Sequence, residues 1–135
     1  MFFSGLLFAG ANNVWTGKEP ANGVEDGILT AEELSRIDLD GCRLVVLSAC
    51  NTGLGDINNI DGVFGLQRGF KKAGVSTILM SLWKVPDEET NILMQNFYQQ
   101  YLSGKSAHQS LRLAQEQLIK AGKTPYYWAG FILLD

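Results

Sequence analysis

At 135 residues the chain is long enough to bury one core and too short for two full domains. Its 46% hydrophobic and 19% charged residues are those of an ordinary globular chain, and a net charge of −3 supplies no attraction for nucleic acid or an anionic membrane surface. The apolar start lacks the basic n-region of a signal peptide, since the first basic residue is Lys18, and no apolar run reaches the roughly 20 residues of a membrane span.

Residues 4–9 read as a strand. Residues 12–27 hold Gly17, Pro20, Asn22-Gly23 and Asp26-Gly27, which mark a loop or an irregular hairpin. Thr30-Ala31-Glu32-Glu33 is a capping box that opens a short helix to about Ile37. Next comes Leu44-Val45-Val46-Leu47-Ser48-Ala49-Cys50, a continuously apolar run of the kind that forms a strand buried on both faces, followed by a polar, glycine-rich loop. A helix is predicted over residues 62–73, with Val63, Leu66, Phe70 and Ala73 on one face and Gly74 as its stop.

Residues 75–83 read as a second buried strand, broken by Pro86. Asp87 stands at an expected N-cap, and Glu88 and Glu89 favour the helix dipole that follows. That helix extends to about Leu102 with Leu93, Phe97 and Tyr101 in one stripe and Met94, Tyr98 and Leu102 beside it. Ser106 caps the next, with Ala107, Leu111, Ala114, Leu118 and Ala121 along one face, and a strand over residues 128–134 closes the chain. Strands alternating with helices predict an α/β fold with a mostly parallel sheet and flanking helices.

Cys50 ends a buried strand, where open α/β sheets place their sites, yet a free cysteine is equally a core residue. As a nucleophile it needs a base to form its thiolate. The one histidine, His108, falls on the flank of an amphipathic helix, where it reads as a solvated surface residue. Cys42 and Cys50, if on one extended strand, lie about 26 Å apart, so a reducing, cytoplasmic setting with two free thiols is expected. Gly53-Leu54-Gly55 lacks the completing residues of a phosphate loop, Asp56, Asn58 and Asp61 lack those of a calcium loop, and no Cys/His cluster suggests a metal. No cofactor is expected. Asp87 has two compatible readings, a helix cap and the floor of a pocket for a basic side chain.

Taken together, Ser4-Gly5-Leu6-Leu7, Gly27-Ile28-Leu29-Thr30-Ala31-Glu32-Glu33, the run from Leu44 through Cys50-Asn51-Thr52-Gly53, Gly62-Val63, Ala73-Gly74, Ser81-Leu82-Trp83-Lys84-Val85-Pro86-Asp87, Phe97-Tyr98, Leu111-Arg112-Leu113-Ala114-Gln115 and Pro125-Tyr126-Tyr127-Trp128-Ala129 resemble the CHAT family. These are caspase-like domains usually attached to tetratricopeptide repeats. The likeness covers nearly the whole chain in the family's order.

The resemblance implies a caspase/separase-type cysteine peptidase fold, layered α/β/α, acting on peptide or protein substrates. Its dyad is a strand-end cysteine, matched by Cys50, and a histidine in a His-Gly pair at the end of an earlier strand. The pattern from Leu82 to Asp87 looks like that of separase, in which the aspartate helps bind a basic P1 side chain. The dyad histidine lies upstream of the Ser-Gly-Leu-Leu element, and this sequence begins at Met1, just before that element. Residues 1–135 are therefore expected to be the C-terminal portion of a CHAT domain, with its N-terminal strands missing and no proteolysis of its own. The alternative is a non-catalytic scaffold module that docks a partner or a second copy along an exposed sheet edge.

Overall fold

The computed structural model describes residues 5–19, 22–23, 25–47 and 60–135. Among them are two small sheets and five α-helices. Strand β1 (Gly5–Leu7) pairs antiparallel with β2 (Ile28–Thr30), with Leu6 opposite Leu29. Helix α1 (Ala11–Trp15) lies in the connection between them, within a segment predicted to be loop.

Thr30 ends β2 and also caps α2 (Ala31–Leu34). Its hydroxyl accepts from the Glu33 amide while the Glu33 carboxylate accepts from the Thr30 amide, closing the predicted box. The strand β2 was not foreseen, because three residues ending in a cap show no periodicity of their own.

The second sheet has the order β3-β4-β5, formed by Leu44–Leu47, Thr77–Ser81 and Phe131–Leu134. β3 and β4 are parallel with Leu47 opposite Met80, whereas β5 runs antiparallel to β4 with Phe131 opposite Ser81. The expectation of a mostly parallel sheet therefore needs correction: of the three pairings among the described residues, one is parallel. Strand direction follows from the connection. Helices α4 (Asp87–Leu102) and α5 (Ala107–Lys120) form a pair that runs down the sheet and back. The chain thus re-enters at the edge where β4 ended, and β5 has to run the other way.

β4 explains the core. Ile78, Leu79 and Met80 are almost wholly buried, and successive side chains leave opposite faces of a strand. Leu79 joins Val85, Leu93, Phe97, Leu111, Ala114, Leu118 and Phe131 beneath α4 and α5. Ile78 joins Leu34, Leu66, Phe70 and Val75 beneath α3 (Ile60–Lys72). The neighbouring strands divide in the same way, Val46 and Leu133 toward the first cluster and Val45 and Leu134 toward the second.

The predicted stripe of α3 is buried at Leu66, Phe70 and Ala73, while the side chain of Val63 is outside the described set. Gly74 stops α3 with a φ of 104°. Its amide donates to Lys71 and the Val75 amide to Phe70, a Schellman closure that needs the left-handed conformation glycine allows. On α4, Leu93 and Phe97 are fully buried and Tyr101 stacks on Phe97, whereas Tyr98 and Leu102 face outward. On α5, Ala107 is half-buried and Ala121 exposed, so the buried stripe is Leu111, Ala114 and Leu118. No helix of the described residues is long and apolar enough to cross a membrane.

Candidate active site

Because β3 and β4 are parallel and in register, their carboxyl ends open on the same edge of the sheet. That edge is where α/β sheets gather ligands. Cys50 follows Leu47 by three residues and lies outside the described residues, as do Gly53-Leu54-Gly55 and the loop positions Asp56 and Asn58. The described part of this edge is the turn leading from β4 into α4.

That turn is clasped from the far end of the chain. The Leu82 amide donates to the Gly130 carbonyl at 2.8 Å. The indole Nε1 of Trp83 donates to the Tyr126 carbonyl at 2.8 Å, and the Tyr126 hydroxyl donates back to the Lys84 carbonyl at 2.7 Å. The two rings stack at 6.4 Å with 19° between their planes. Tyr126 belongs to a 3₁₀ turn, Pro125–Tyr127, and Gln115 on α5 holds the chain just after it by donating to the Trp128 and Phe131 carbonyls at 3.0 and 3.1 Å. Gly130 has to be a glycine, since a Cβ there would sit 2.8 Å from the indole of Trp83.

Asp87 differs from its expected place by one position. Pro86 occupies the N-cap, the Thr90 amide donates to its carbonyl, and Asp87 is the first helical residue, exposed and making no cap bond. Proline provides no side-chain acceptor, and the charges of Asp87, Glu88 and Glu89 in the first turn oppose the positive helix end. The carboxylate of Asp87 is consequently not spent on the backbone.

Two residues past it, Glu89 is 6% exposed and pairs with Lys123 at 2.7 Å. Lys123 also stands 5.3 Å from the ring centre of Tyr127. In the sequence Glu89 shows only as a first-turn carboxylate favouring the dipole, and Lys123 carries no signal.

His108 lies elsewhere. Its Nε2 is 2.6 Å from Oδ2 of Asp135, whose Oδ1 accepts from the Thr77 hydroxyl at 3.0 Å. Thr77 is the first residue of β4, so this cluster marks the amino edge of the sheet, about 13 Å of strand from the carboxyl edge. The ring is 62% exposed, as expected for a solvated histidine, and the Asp135 contact is an addition. His108 draws the Asp135 carboxyl below its usual range, with help from Thr77.

Residues 2–134 match the family described as CHAT domain. The chain belongs to the CHAT family. One relative is human tetratricopeptide repeat protein 28, 34% identical over 113 residues, which cover 82% of this chain and 4% of that protein. The chain thus spans a small fraction of the relative's length. In this CHAT chain the Ser81–Asp87 and Pro125–Ala129 motifs, 38 residues apart at their nearest ends, fold into one clasp at the carboxyl edge. Among the described residues no group of three or more His, Cys, Asp or Glu side chains could hold a metal ion.

The ion pair gives the CHAT fold a pH window. The bond from Lys123 holds the Glu89 carboxyl below its ordinary 4.5, against the opposing effect of burial. Glu89 in turn holds the Lys123 ammonium above its ordinary 10.5. A carboxyl lowered on folding stabilises the fold above its unfolded value and loses that contribution as pH falls through the lowered one. A lysine raised on folding does so below its unfolded value, and loses it as pH rises through the raised one. The pair therefore contributes from above pH 4.5 to below pH 10.5. Urea midpoints recorded against pH should fall on the acid side, and Glu89→Gln should make that limb shallower. Glu33 and Asp135, lowered as well, leave a residual slope. Superimposable profiles for the two proteins would show that the pair has no such role.

Proposed function

We propose that this CHAT chain carries the nucleophile half of a cysteine peptidase site of the caspase and separase type, within a layered α/β/α domain. Cys50 is the nucleophile and Asp87 receives a lysine or arginine side chain of the substrate. The thiolate adds to the carbonyl carbon of the peptide bond, backbone amides hold the oxyanion, and collapse expels the amine, which takes a proton from the conjugate acid of the base. Water then hydrolyses the thioester.

The observation that carries this reading is the shared carboxyl edge. β3 leads toward Cys50, and parallel β4 leads through the clasped turn to an exposed Asp87 not used as a cap. The bond from His108 to Asp135 at the other edge supports a base supplied from outside these 135 residues. Tetratricopeptide repeats are proposed to accompany the domain, as the name of the human relative says of that protein, and a reducing, cytoplasmic setting would keep the thiol free.

At pH 9, above the ordinary cysteine value of about 8.5, much of an unassisted thiol is thiolate without a histidine. An acyloxymethyl ketone bearing arginine at P1 should then label Cys50 faster than Cys42, by peptide mass mapping. It should label faster than its norleucine counterpart, and Asp87→Asn should erase that preference. The same chain should not hydrolyse arginyl or lysyl peptides. Equal labelling of the two cysteines overturns the nucleophile assignment. Turnover that is lost in Cys50→Ala overturns the half-site, because a base would then lie within these residues.

A further inference from the structure

A second feature shares no residue with the turn before Asp87. A groove of about 620 Å³ opens between the β1–β2 hairpin and the end of α2. That volume is within the roughly 300–1,000 Å³ range of sites that take up ligands. Its walls are Phe8, Ile28, Leu29 and Ile37.

Two of these are large apolar side chains left in water, Phe8 at 57% and Ile37 at 41% exposure, and Leu7 beside them is 62% exposed. Single exposed apolar residues are ordinary, whereas several around one concavity mark a surface that something covers.

The rim carries one sign of charge. Glu25, Asp26 and Glu33 line the groove, and among the described residues no lysine or arginine does. Glu33 uses Oε2 for the Thr30 cap and Asp26 uses Oδ1 for the Ile28 amide, so these local bonds engage one oxygen of each carboxylate. The bonds from Thr30 also hold the Glu33 carboxyl below its ordinary value, which keeps it ionised. The nearest arginine on α2's trailing turn, Arg36, is engaged 2.6 Å from Glu32.

We propose that this groove docks a peptide segment of a partner protein, with a large apolar side chain seated between Phe8 and Ile37 and an adjacent lysine or arginine on the carboxylates. Charge selects the occupant. An acidic segment would meet three like charges, and a neutral one would leave them desolvated without partners. The capping box gives the site a fixed wall, because Glu33 is held by the same bonds that start α2.

The probe is a fluorescein-labelled octapeptide, Lys-Leu-Phe-Lys-Gly-Ile-Lys-Gly, beside versions with every lysine replaced by glutamine or by glutamate. Anisotropy titrations with the 135-residue chain should rank them basic, neutral, acidic, with about a tenfold step in Kd between the first two, equivalent to about 1.4 kcal/mol. The basic peptide should weaken as salt is raised. Amide shifts should concentrate in residues 25–37. Glu25→Gln and Ile37→Ser, both at exposed positions, should each weaken binding about fivefold with an unchanged melting curve, in line with loss of one charge contact or one apolar anchor. Absence of binding, equal affinity for the three peptides, indifference to both substitutions, or shifts confined to residues 82–87 would each overturn the proposal.

Discussion

Replacing Phe97 by alanine should cost about 3–5 kcal/mol, the range for emptying a buried aromatic site. Phe97 has no exposed surface and is central to the cluster under α4 and α5. Its ring stacks on Tyr101 at 5.7 Å with 10° between planes and meets Tyr98 edge-on at 5.4 Å, pairings worth about 0.5–1.5 kcal/mol beyond buried area. Collapse into the gap is limited, because Leu93, Leu111 and Leu118 are already fixed against β4 and β5. Against a total stability of about 5–15 kcal/mol, the loss removes a large part of the margin. The melting temperature should fall by roughly 10 °C or more. Leu102→Ala on the same helix, at an 81% exposed position, should change stability by no more than about 0.5 kcal/mol. A Phe97→Ala cost under about 1 kcal/mol would mean that α4 and α5 are not packed through this ring.

Trp83→Ala should loosen the turn at the carboxyl edge at a cost of about 2–3 kcal/mol. It removes one hydrogen bond to the Tyr126 carbonyl, worth about 1 kcal/mol net, and one aromatic pair worth about 0.5–1.5 kcal/mol. It also uncovers the space that Gly130 leaves for the indole. The reciprocal bond from Tyr126 to Lys84 loses its orienting partner, so the turn before Asp87 is loosened at both of its anchors. Amide exchange across residues 84–90 should accelerate more than exchange at the centre of α5. Trp83→Phe, which keeps a ring but no donor, should fall between the two. Uniform acceleration along the chain would assign the residue to global stability alone.

Local chemistry was legible in the sequence wherever a signal sits within four residues. Thr30 with Glu33, Ser106 as a helix cap and the glycine stop after α3 all form as read, and Gln109 completes the Ser106 box. The apolar run of β4 was legible too, because a strand covered on both faces has no polar positions to interrupt it. The strand expected over residues 128–134 is confined to Phe131–Leu134, since Gln115 and the 3₁₀ turn claim the residues before it. The antiparallel direction of β5 depends on where a helical pair delivers the chain, which no window of sequence contains.

The candidate site divides along the same line. Asp87 was recognisable through its motif, but its placement as first helical residue depends on proline taking the cap. The partners that hold its neighbourhood, Tyr126 to Lys84 and Glu89 to Lys123, are 42 and 34 residues apart in sequence. Pairings at that separation leave no periodic trace. Only the fold brings them together.

The alternation of Ile78 and Leu79 along β4 has a consequence for how the molecule comes apart. One strand supplies a wall to each apolar cluster, and the partners of Ile78 and Leu79 never overlap. Neither half can shed its helices and leave the other intact, because the strand that frays for one also loses its hydrogen-bonded neighbours for the other. The helical pair behind Asp87 and the helix that follows β3 are thus joined in one cooperative unit, and damage to either cluster is felt at the carboxyl edge between them.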